Sequence, residues 1–82
     1  MQKFIVERTF APPLTREQLN DTEARMKPCL DLYKVRWLRS YWSADRTRMI
    51  CEYEAPDAES VREVQNQAGA KFDSVWPADL LP

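Results

Sequence analysis

Hydrophobic and polar positions alternate most sharply between Lys34 and Ala55, in the stretch KVRWLRSYWSADRTRMICEYEA. Tryptophan, tyrosine and β-branched residues fill two arms around Ala44-Asp45-Arg46. That spacing predicts a β-hairpin, with strands from about Val35 to Trp42 and from about Thr47 to Glu54. Pairing about this turn sets Arg39 across from Glu52, Tyr41 from Ile50, Leu38 from Tyr53 and Ser40 from Cys51. Side chains alternate between faces, so one face carries Trp37, Arg39, Tyr41, Ile50 and Glu52. The other carries Leu38, Ser40, Trp42, Met49, Cys51 and Tyr53. Both faces hold large side chains, yet a small single domain has one core to receive them.

The same reading extends along the chain. Lys3–Phe10 alternates as a strand, with Phe4, Val6 and Phe10 on one face and Ile5, Glu7 and Thr9 on the other; Ala11-Pro12-Pro13 ends it. Thr15 is the expected N-cap of a helix with Glu17 in its first turn, and Leu19, Thr22, Met26 and Cys29 or Leu30 recur at helical spacing. Pro28 is expected to end or kink this helix near Lys27. After the hairpin, Asp57 caps a second helix with the stripe Val61, Val64 and Ala68, and Gly69 is its left-handed stop. A last strand is expected at about Lys71–Trp76, before Pro77.

The order β-α-β-β-α-β is the ferredoxin-like α+β plan: a four-stranded antiparallel sheet with both helices on one face and strands one and three in its centre. Residues 1–82 form a single such domain. Carboxylates are costly under helices, so Glu52 and the face that carries it point away from them. The open face then holds Trp37, Arg39, Tyr41, Ile50 and Glu52, with Ile5 and Glu7 from the first strand. So much aromatic surface is expected to be covered by the same face of a second subunit, giving a dimeric α+β barrel that can enclose a small ligand between its two sheets.

Composition narrows the chemistry. A net charge of −1 offers no whole-molecule field for nucleic acid or anionic membrane. The plan is shared with RNA-recognition domains, but the third strand, RMICEYE, lacks their glycine-aromatic signature and adds two acids. The single glycine rules out glycine-rich phosphate loops. No secretory leader or membrane span is legible, so the expected location is cytoplasmic, with Cys29 and Cys51 reduced. No cofactor is expected. No metal site is expected either: histidine is absent and no ligand spacing occurs.

The candidate ligand-binding residues are Glu7, Trp37, Arg39, Tyr41 and Glu52. Glu7, Arg39 and Glu52 can converge as carboxylate, guanidinium and carboxylate. Such a group serves either as an anion-holding site or, more plainly, as a structural ion-pair network. Glu7 or Glu52 as a base would make the dimer a small α+β-barrel enzyme of isomerase or monooxygenase type, and a purely structural partner module is a third use. Cys51 reads as a small core residue, with no histidine to activate it as a nucleophile.

The chain resembles a bacterial family of small, uncharacterised ferredoxin-like proteins, some of whose members are described as nickel-binding. The resemblance rests on Phe4-Ile5-Val6-Glu7-Arg8, Leu14-Thr15, Trp37 through Ser40-Tyr41, Cys51-x-Tyr53-x-Ala55-Pro56 and Ala68-Gly69. It implies a ferredoxin-like dimer. The nickel description goes with members that carry histidines, so no metal ligand is carried over to this chain.

Overall fold

Alternation along β1 (Gln2–Thr9) turns Phe4, Val6 and Arg8 to one side of the sheet and Lys3, Ile5 and Glu7 to the other, in a computed structural model that describes Met1–Pro82. Five further elements follow: α1 (Arg16–Leu32), β2 (Arg36–Trp42), β3 (Arg48–Ala55), α2 (Ala58–Ala68) and β4 (Ser74–Ala78). The strands form one antiparallel sheet in the order β2-β3-β1-β4, the ferredoxin-like arrangement, with β1 and β3 in the centre. Phe4, Val6, Met49, Cys51 and Tyr53 meet Val61, Val64 and Ala68 of α2 and Met26 of α1 in a single core.

Local chemistry explains the helix ends. Thr15 forms a capping box: its Oγ1 accepts from the Gln18 N–H at 3.1 Å, and Gln18 Oε1 accepts from the Thr15 N–H at 3.0 Å. Asp57 Oδ1 accepts from both the Ser60 N–H and hydroxyl at 2.8 Å, which holds its carboxyl below the usual range. Gly69 closes α2 at φ 67°, in the left-handed region where a Cβ is disfavoured.

Three expectations are corrected. Of the end or kink expected near Lys27, the end does not occur: helix α1 runs through Pro28 to Leu32. Pro28 removes the amide that would bond the Ala24 carbonyl, but both residues are exposed, so that carbonyl is not left buried without a donor. β4 starts later than expected and runs through Pro77, which pairs with Phe4; an edge strand tolerates a missing donor. In β2 the register shifts between Trp37 and Arg39, so Trp37, not Leu38, stands across from Tyr53.

The hairpin turn also anchors the chain before α1. The Phe10 N–H donates to the Thr47 carbonyl at 2.8 Å and the Leu14 N–H to the Arg46 carbonyl at 3.0 Å. Within the turn, Asp45 Oδ1 accepts from the Thr47 hydroxyl and the Ser43 hydroxyl, each at 2.7 Å, and from the Thr47 N–H at 3.1 Å. These bonds, the Thr47 hydroxyl first, pull the Asp45 carboxyl down to about 2. Helix α1 packs chiefly on α2, meets the sheet mainly at β2 and buries only Met26 fully. No helix is long and apolar enough to cross a membrane.

Candidate functional site

Register places the open-face residues in rows across the sheet, since directly paired residues share a face. One row reads Tyr41, Ile50, Glu7 and Ser74; the next reads Arg39, Glu52, Ile5 and Trp76. Ile5 is buried beneath its neighbours, but Tyr41 is 62% exposed, Trp76 42% and Ile50 37%. These three form the apolar surface that no helix covers.

The charged members of the face separate into two groups. Arg39 Nη1 donates to Glu52 Oε2 at 2.6 Å, as the pairing reading expects. Glu7 does not join them. Its Oε2 accepts from Trp76 Nε1 at 2.8 Å and from the Ser74 hydroxyl at 3.3 Å, so it leans toward β4 and away from β2. The expected convergence of Glu7, Arg39 and Glu52 is therefore half made. Trp76 is the open-face residue that the sequence reading missed, because the last strand was expected to end there. Its odd-even parity with Ser74 was the available signal.

Trp37 leaves the face on which it was expected. The bulge at Leu38 reverses the parity of everything before it, and Trp37 turns to the helix side beside Ser40, whose hydroxyl accepts from Trp37 Nε1 at 2.9 Å. There it lines a cleft of about 700 Å³ between α1 and the β2–β3 half of the sheet. Leu38, expected in the core, is half-buried at the bulge.

Arg8 lines the inner end of that cleft and is only 6% exposed. It donates to the Lys71 carbonyl at 2.9 Å, to the Tyr53 hydroxyl at 3.4 Å and to Gln65 Oε1. Burial, and after it the neighbouring Cys51, push the Tyr53 hydroxyl up to about 12, against the opposing effect of Arg8. The sequence reading assigned Arg8 no role. Its place in the alternation Phe4, Val6, Arg8, Phe10 was the signal that put a cation on the core side.

No three of the histidine, cysteine, aspartate and glutamate side chains come together as a metal-binding group. Cys29 and Cys51 are both free thiols; the first sits on α1 with its Sγ 3.6 Å from the Arg25 carbonyl, the second is buried in β3. Within one chain, therefore, these side chains assemble no three-donor set for a nickel ion.

The crystal structure of SCO4226 from Streptomyces coelicolor A3(2) superimposes on this chain with a TM-score of 0.84, at 21% identity, over 98% of this chain and 99% of its own length. That likeness establishes a shared fold. No curated protein sequence matches the chain. A family model described as nickel responsive protein, SCO4226-like, matches residues 4–77, and the chain belongs to the SCO4226-like family.

Proposed function

We propose that the chain works as a two-fold dimer whose open sheet faces pack together, and that a small molecule is held in the space between them. The observation that carries this reading is the exposed pair Tyr41 and Ile50 on β2 and β3, with Trp76 exposed at the opposite edge of the same uncovered face. A sheet face that presents several large apolar side chains with no covering element is a common mark of an interaction surface. The two long extents of the domain, 33 and 31 Å, give that face an envelope large enough for the roughly 800 Å² per partner of a standard interface. Cations and carboxylates interleave across it, as in the Arg36–Glu54 and Arg39–Glu52 pairs, so neither sign repels a second copy.

Tyr41 and the Arg39–Glu52 pair are the groups we assign to the ligand, with Glu7 at the β4 side. Only one oxygen of Glu7 is engaged by protein donors, which leaves Oε1 for a ligand N–H or O–H. Trp37 is not part of this proposed site. The two free thiols suit a reducing, cytoplasmic setting. The family's nickel description is not extended to a site in this chain, since the donors for one are not assembled.

Tyr41→Glu tests the reading, because it introduces a charge in the exposed row without touching the helix-side core. The expected result is a shift from dimer to monomer on size-exclusion chromatography with an unchanged far-ultraviolet circular dichroism spectrum. Wild type and variant eluting alike would overturn it.

A further inference from the structure

We propose that the cleft between α1 and the sheet is a binding site for an organic monocarboxylate with an apolar, chain-like body, its carboxylate held by Arg8. This site lies on the face opposite the proposed dimer interface and does not depend on that interface.

The first support is an unbalanced charge. The ion pairs of the molecule are Arg36–Glu54, Arg39–Glu52 and Arg62–Glu59; the buried Arg8 takes part in none of them. Its acceptors are a carbonyl, a hydroxyl and an amide oxygen, all neutral. They use three of the five N–H donors of the guanidinium and leave two without a protein acceptor. Beside it, the fully buried Gln65 Nε2 is a further donor with no partner. Tyr53 cannot supply the missing charge, because burial keeps its hydroxyl protonated. The cluster is rich in donors and short of one anion, and a buried cation without a counter-charge is costly.

The cleft itself specifies what kind of anion. Leu19, Met26, Leu30, Trp37 and Met49 give it apolar walls, and its volume of about 700 Å³ falls among those of small-molecule sites. A single buried cation matches one negative charge better than the two of a phosphate ester, and the exposed Glu23 and Lys27 of the lining offset each other. One carboxylate at the inner end and hydrocarbon along the walls satisfy both features.

Decanoate and 1-decanol are the probes, titrated into the wild-type protein below their aggregation limits and followed by two-dimensional amide NMR. The expected result is one-to-one binding of decanoate at least ten-fold tighter than that of decanol, with shifts on α1 and β3, and no comparable binding of inorganic phosphate. Arg8→Gln should bring the two affinities together. Leu19→Trp, which fills the cleft while retaining the Arg8 guanidinium, should abolish both, while Tyr41→Glu should leave decanoate binding intact. Equal affinities in the wild type, no binding of decanoate, or binding unaffected by Leu19→Trp would each overturn the proposal, whatever the fate of Arg8→Gln.

Discussion

Trp76 Nε1 donates to Glu7 Oε2 at 2.8 Å, joining the edge strand β4 to the central strand β1 across the open face. Glu7 thus has neutral donors for partners, while the charge of Arg39 is met by Glu52. Glu7→Gln keeps an acceptor for Trp76, so it should cost less than about 1 kcal/mol. A Glu7→Ala, Trp76→Phe double-mutant cycle by urea denaturation, in which each single change removes the bond, should give a coupling of roughly 0.5–1.5 kcal/mol, the net worth of one hydrogen bond. A loss of about 3 kcal/mol from Glu7→Gln alone would instead indicate a broken buried ion pair.

Tyr53 should titrate well above the ordinary phenol range. Ultraviolet titration at the phenolate band should show one of the three tyrosines near pH 12. The folded value lies above the unfolded value of 10.0, so the unfolded chain loses this proton first. The contribution to stability is therefore complete below about pH 10 and declines as pH rises from about 10 to about 12. The absence of any phenolate step near pH 12 in the folded protein would contradict the burial of this hydroxyl.

The acid side has its own marker in Asp45. Its folded value of about 2 lies below the unfolded 3.8, so its stabilising effect is present above about pH 4 and lost as pH falls through about 2. Asp45→Asn should lower the melting temperature at pH 7 and flatten the decline between pH 4 and 2. Superimposable melting curves across that range would show that the turn bonds contribute nothing.

How far the sequence led can be traced through two residues. Arg39 was placed correctly because its register is counted from the turn, and everything between the turn and Arg39 keeps strict alternation. Trp37 lies only two positions further on, but a bulge at Leu38 intervenes. Alternation carries no record of one inserted residue, since both faces of β2 are rich in large side chains and neither parity looks wrong. The element order and both helix caps were legible for a similar reason: Thr15, Asp57 and Gly69 act through local backbone chemistry that needs no tertiary context. The cleft was not legible. It arises from how α1 is set against the sheet, a tertiary placement that no pattern within α1 encodes.

Nickel provides a further check on the family relationship. Histidine is absent and no three-donor group is assembled, so calorimetric titration of the tag-free chain with nickel should show no tight stoichiometric binding. Sub-micromolar, one-to-one binding would require donors brought together from two chains, and would direct attention to the dimer interface.

Sedimentation equilibrium at micromolar concentration bears most directly on the paired-sheet arrangement. The expected mass is twice the 9.7 kDa of the chain, and Trp37→Glu, on the helix side of the bulge, should leave that mass unchanged whereas Trp76→Glu should halve it. A wild-type mass near 9.7 kDa throughout the micromolar range would contradict the paired sheets.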